Sequence, residues 1–137
     1  MSKNIHETIY DRLQRLFPGL ENYQGDYLKL SAPGYMDLHI DILRRERSRT
    51  VISLAHNGRQ NGDVMADPDM EVAIVPSMRM AEALSYQNDF IGVYQRVYPA
   101  PGKVDVAAKR KLNQFLADWL SNLLQQGHKP DREHQAA

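Results

Sequence analysis

The sequence predicts an α+β fold: an antiparallel sheet of about five strands, with an N-terminal helix and a long C-terminal helix packed on one face. Three observations carry this. Apolar residues recur at helical spacing near both ends of the chain, and short segments between them alternate apolar and polar residues with period two. The strand segments follow one another through polar turns rather than through the long helical crossovers of a doubly wound parallel sheet. The chain has 137 residues, the size of one domain. That domain is expected over residues 1–128, followed by a polar, frayed tail at 129–137.

The first helix starts after Asn4, and Ile5, Ile9, Leu13, Leu16 and Phe17 draw its apolar stripe. Asn4 with Glu7 fits an amide variant of the capping box, and Pro18 and Gly19 stop the helix. Leu28 and Leu30 alternate with Tyr27 and Lys29 as a short strand, and Pro33 and Gly34 supply a turn. In the clearest strand, Met36, Leu38, Ile40 and Ile42 face the core, while Tyr35, Asp37, His39 and Asp41 face water. A polar hairpin at 44–48 leads to a strand in which Thr50, Ile52 and Leu54 oppose Val51, Ser53 and Ala55.

Residues 57–69 concentrate turn formers and read as a long surface loop, and 71–75 as a strand ended by Pro76. The helix propensity of Ala, Met, Glu and Leu predicts a short helix over 78–84. Residues 90–98 read as a last strand, with Gly92 at a bulge. The closing helix is capped by Asp105 and ended by Gly127; Leu112, Phe115, Leu116, Trp119, Leu120, Leu123 and Leu124 form its apolar face. Lys111, Asn113, Gln114, Asp118, Ser121 and Gln125 are expected on the opposite, polar face.

Composition narrows the function classes. Lys plus Arg and Asp plus Glu number 17 each, which argues against a surface built to attract nucleic acid. The chain has no cysteine, which removes disulfides, thiolate metal sites and a cysteine nucleophile. No run of apolar residues has the length of a signal peptide core or a membrane span, and the mean hydropathy is -0.56, so a cytoplasmic protein is expected. No phosphate-binding glycine loop, nucleophile elbow or zinc-helix histidine pair is present, and no catalytic residue or cofactor is predicted.

The candidate polar cluster is His39, Asp41, His56, Asp67 and Asp69. Asp37, His39 and Asp41 share a strand face about 7 Å apart from neighbour to neighbour. His56 or the acids of the 57–69 loop could complete a cation site with them. The alternative is a solvated strand face, which alternation alone produces, with His56 capping a strand end and Asp67 and Pro68 forming a turn. A candidate anion patch is Arg44, Arg45, Arg47 and Arg49, with Tyr94, Arg96 and Tyr98 alternating on another strand. The alternatives are a hairpin tip charged for solubility, or neutralisation by the acids of 63–71.

The run 112–120, Leu-Asn-Gln-Phe-Leu-Ala-Asp-Trp-Leu, resembles the signature of the YqiB-like family of small bacterial proteins of unknown function. The likeness extends to 66–70, 80–87 and 126–128. It implies a bacterial cytosolic protein and supplies no activity or site residues. Two functional classes follow. One is a non-catalytic binding or adaptor domain that contacts a protein partner or its own copy; the other is a small enzyme or sensor for an anionic, nucleotide-related metabolite. A structure that gathers a histidine, Asp67 or Asp69 and the arginines in one hollow favours the second.

Overall fold

The computed structural model describes residues 3–60 and 63–131, and of residues 59 and 60 the backbone alone. The fold is α+β. Helix α1 (Ile5–Leu16) is followed by β1 (Tyr27–Ser31), β2 (Leu38–Arg45), β3 (Thr50–Gln60), β4 (Asp63–Val75), β5 (Met80–Asn88), β6 (Val93–Arg96), α2 (Val106–Gln126) and β7 (Lys129–Pro130). The strands form one seven-stranded sheet in the order β6-β5-β4-β3-β2-β1-β7, with every pair antiparallel. Both helices pack on one face, where Ile9, Leu13, Leu116 and Leu120 meet Leu28, Ile40, Leu54 and Val72 in a single core. Among the described residues no helix is long and apolar enough to cross a membrane.

The helix termini follow the sequence closely. The Asn4 side chain accepts the Glu7 N–H at 2.9 Å, and the Glu7 carboxylate accepts the Asn4 N–H at 3.1 Å, completing the capping box. Asp105 accepts the Ala108 N–H at 3.0 Å, and Gly127 ends α2 at φ +85°, a left-handed conformation that glycine adopts without a Cβ penalty.

The sheet is larger than the expected five strands. Of the expected 57–69 loop, residues 57–60 and 63–69 are in strands instead, β3 and β4 pairing from Thr50↔Ile74 to Gln60↔Asp63, and residues 61 and 62 lie outside the described residues. A register jump between Ala55 and Asn57 sets Asp67 and Pro68 opposite His56 and absorbs a proline that cannot donate to the ladder. The predicted helix over 78–84 is also corrected, because Met80–Asn88 is a strand. Its residues have good helix propensity, but Ala81 and Ala83 alternate into the core, where small side chains let both helices approach the strand.

The start and end of the sheet shift as well. Met36, expected in the core, is 42% exposed, because β2 begins only at Leu38. The last predicted strand shrinks to Val93–Arg96, with Gly92 at φ +66° in the turn before it. Residues 129–131, expected in a frayed tail, add an edge strand: Leu30 pairs with Pro130, and Ser31 donates to Asp131 at 2.9 Å. Residues 132–137 of the tail lie outside the described residues.

Because β6 pairs only with Ser85–Asn88, the earlier part of β5 has a free edge that the helices cap. Asn113 accepts the Ala83 N–H at 2.8 Å and donates to the Lys109 carbonyl at 2.7 Å. His6 donates through Nδ1 to the Ala81 carbonyl at 3.2 Å. Asn113, expected on the polar face of α2, is 2% exposed. It stands three, four and seven residues before Leu116, Ala117 and Leu120, on the buried side, and buried amide groups need such partners.

Candidate functional site

The helix-free face of the sheet is built by a cross-strand register that brings distant residues into rows. Arg44, Val51, Ala73 and Glu82 form one row; Asp41, Ser53, Glu71, Ser85 and Arg96 form the next; His39, Ala55, Asp69, Gln87 and Tyr94 form a third. Small residues occupy the middle strands, and long ones occupy the rim. Val51, Ala73, Ser53 and Ser85 are therefore buried beneath their taller neighbours, although no helix covers this face. The result is a groove with two adjoining hollows. One, of about 460 Å³, is walled by Arg44, Arg49, Arg96, Glu82 and Tyr98. The other, of about 310 Å³, is walled by Asp41, Leu43, Asp69, Gln87 and Tyr94. Glu71 and Ser85 line both.

Charge is sorted within the groove. Arg44 and Arg49 each approach the same Glu46 oxygen, Oε1, at 3.4 Å through Nε. Arg96 makes no ion pair among the described residues. Glu82 accepts the Tyr98 O–H at 2.9 Å and lies 3.5 Å from the Lys109 ammonium, which its hydrogen bond to the Tyr98 oxygen and the Glu82 charge hold above the usual lysine range. In the second hollow, Ser53 donates to Asp69 at 2.6 Å. Asp41 has no ion pair among the described residues, and its carboxyl is pushed above the usual range, first by burial and then by the charge of Asp69, with His39 pulling the other way.

The sign of that shift gives a prediction. A carboxyl whose folded pKa is raised contributes stability below its unfolded pKa and loses it as pH rises through the folded value. Charged Asp41 thus costs stability at neutral pH, and Asp41→Asn is expected to raise the Tm at pH 7, with the gain fading towards pH 3. A Tm at pH 7 below that of wild type in differential scanning calorimetry would contradict this.

The predicted residues divide between the two faces. His39, Asp41 and Asp69 share the open face, where His39 Nδ1 lies 2.6 Å from the Tyr27 hydroxyl. His56 lies across the sheet from them, against α2, with Asp67 close enough for its charge to act on the ring. Asp67 is engaged instead by Asn88, which donates at 3.4 Å. Among the described residues no three His, Asp or Glu side chains gather to hold a metal ion.

The arginine patch also splits. Arg45 donates to the carbonyls of Tyr23 at 2.9 Å and Gly25 at 2.6 Å and pairs with Asp26 at 3.3 Å, so it fastens the chain entering β1. Arg47 lies in a separate hollow with Ser48, Thr50 and Ser77. Arg44 and Arg49 find their counter-ion in Glu46 and Arg45 in Asp26, and among the described residues none of the hairpin arginines pairs with the acids of 63–71. The side chain of Arg59 lies outside the described residues. Tyr94, Arg96 and Tyr98, which alternate in sequence, do line the groove together with Arg44 and Arg49. Sequence reading missed the floor, Ser53 and Ser85, and the acids Glu71 and Glu82. The outward alternation of Val51, Ser53 and Ala55 was the available signal, and their small size was the missing inference.

The family model of a domain of unknown function, DUF6908, matches residues 8–129, from within α1 to the first residue of β7. The chain belongs to that family. No curated protein and no solved structure matches it. The match to DUF6908 covers every groove residue named above, and its description assigns none of them a role.

On the helix-covered side of this DUF6908 domain, His56 is locked in one tautomer. A carbonyl only accepts and an indole N–H only donates, so Nδ1 carries the proton to the Asp37 carbonyl at 2.9 Å and bare Nε2 accepts from Trp119 Nε1 at 3.2 Å. The neighbouring His128 ring is buried, with Nε2 2.9 Å from the Met36 carbonyl. Burial is the main cause that lowers the His56 pKa; electrostatic repulsion from the His128 and His39 rings adds to it, while the Asp37 carbonyl and the Asp67 charge oppose it.

A histidine with a lowered folded pKa favours the fold above its unfolded value of about 6.5. That stability is lost as pH falls through the folded value, because protonated Nε2 has no lone pair for Trp119. Tm is expected to drop faster below pH 6.5 in wild type than in His56→Gln, which does not titrate. Parallel curves for the two proteins in a pH series would contradict this.

A smaller, mostly apolar cleft of about 230 Å³ lies where α1 begins, among His6, Val75, Met78 and Met80. Its one imidazole is already bonded to the Ala81 carbonyl.

Proposed function

We propose that this is a binding domain without chemistry of its own, and that its working surface is the open face of the sheet. The observation that carries the reading is the groove: a floor of small residues walled by arginines, carboxylates and tyrosines, on a face that neither helix covers. A face with no role other than contact with water needs polar residues but no such hollow. The division of the candidates supports binding over catalysis, since His56 and Asp67 lie across the sheet from Asp41 and Asp69 and, among the described residues, no histidine lines either hollow. Bacterial origin, kinship with the YqiB-like family and a cytoplasmic setting belong to the same proposal. They rest on the 112–120 run and on the absence of cysteine.

The test is to fill the groove. Immobilised wild-type protein, Ser85→Trp and the rim variant Arg96→Glu are exposed to extract of the native cell, and retained metabolites and proteins are identified by mass spectrometry. The expected result is a species retained by wild type and lost from both folded variants. Equal retention by all three would overturn the reading.

A further inference from the structure

Resting on that reading of the open face, we propose that the groove takes a small dipolar molecule, with a phosphate or carboxylate at one end and a protonated amine at the other. The groove offers unpaired charge of both signs. The Nη groups of Arg44 and Arg49 make no hydrogen bond among the described residues, because Glu46 engages each only through Nε. With Arg96 they present guanidinium forks suited to a planar or tetrahedral anion. Asp41, Asp69 and Glu71 likewise form no ion pair among the described residues, and Asp69 is held only by the Ser53 hydroxyl. Arg44 and Asp41 stand three residues apart on β2, about 10 Å along the strand, and Arg96 lies in the same cross-strand row as Asp41, so opposite charges are offered within the length of a small molecule.

Neither a simple anion nor a simple cation fits both hollows. Glu71 lines both, so a second negative charge extended along the groove meets it, and a cation in the first hollow meets three arginines. A dipolar molecule satisfies each end and gains from linking the two contacts. Ser85, 6% exposed, accepts the Glu71 N–H at 3.3 Å and keeps its own O–H available at the junction of the hollows. The hollows, about 460 and 310 Å³, have the scale of a small-molecule site.

The test is an amide NMR titration of the full chain with phosphoethanolamine and γ-aminobutyrate as dipolar probes, and with inorganic phosphate, acetate and ethanolamine as single-charge probes. One dipolar probe is expected to bind at least about tenfold tighter than either of its halves, with shifts at Asp41, Ser53, Glu71, Ser85 and Arg96. Comparing the two dipolar probes tells phosphate from carboxylate. Arg96→Gln is expected to weaken the dipolar probe while leaving ethanolamine unchanged, and Asp41→Asn to do so while leaving the anion unchanged. Inorganic phosphate binding as tightly as phosphoethanolamine overturns the proposal in favour of a plain anion site. Concentration-dependent shifts on this face without any probe overturn it in favour of a second copy of the chain. Absence of any probe-induced shift also overturns it, while the open-face reading is decided separately by Ser85→Trp and Arg96→Glu in extract.

Discussion

Replacing Trp119 by alanine is expected to cost about 3–5 kcal/mol, measured as the change in unfolding free energy in urea. The indole is buried against the core, with its ring 5.3 Å from His56 and 6.0 Å from Phe115. Truncation leaves a cavity that the sheet cannot close and removes the only donor to His56 Nε2 among the described residues. Trp119→Phe separates the two effects, since it keeps most of the volume and deletes the N–H. It is expected to cost about 1–2 kcal/mol and to weaken the acid sensitivity assigned to His56. A cost below about 1 kcal/mol for the alanine variant would mean that α2 is not anchored here.

The second large effect is expected at Asn113. Asn113→Leu keeps the branched skeleton of heavy atoms and adds hydrophobicity, so an account based on apolar burial alone predicts a neutral or stabilising change. The hydrogen bonds predict the reverse: the Ala83 N–H loses its acceptor at the free edge of β5, and the Lys109 carbonyl loses a donor. An unsatisfied buried group costs about 1–3 kcal/mol, and the variant is expected to fall in that range. Amide exchange at Ala83 is expected to accelerate beyond the global loss of stability. An unchanged or raised urea midpoint would show that Asn113 is incidental to the edge.

These two residues mark what the sequence made legible and what it concealed. Period-two alternation located β2 and the start of β3, and helical spacing with the cap residues Asn4, Asp105 and Gly127 located both helices. Each of those signals is local. The errors arose where tertiary context outweighed local preference: 78–84 has helix-forming residues but supplies the small alanines on which α1 and α2 rest. Residues 57–69 have turn composition, yet 57–60 and 63–69 lie in paired strands, with the register jump at His56 absorbing Pro68. Asn113 looked like a polar-face residue, because its identity was read and its position three residues before Leu116 was not.

The candidate site was half legible for a related reason. Alternation put His39 and Asp41 on the open face and His56 on the other, but could not say which strands adjoin. The meander brings Arg44 and Arg49 to the same hollow as Arg96, roughly fifty residues away, while Arg45, their neighbour in sequence, turns back to fasten Tyr23 and Gly25. The balanced count of acids and bases therefore hides a groove with a basic end and an acidic one.

The central claim is that this open face, and not the helix-covered side or the apolar cleft near His6, is where the DUF6908 domain binds. Amide NMR spectra of the labelled chain, recorded as metabolite extract from the native cell is added, test it most directly. The account predicts shifts clustered on the groove strands at Asp41, Ser53, Glu71, Ser85 and Arg96. Shifts clustered instead at His6, Met78 and Met80, or along Phe115 and Trp119 of α2, would contradict it.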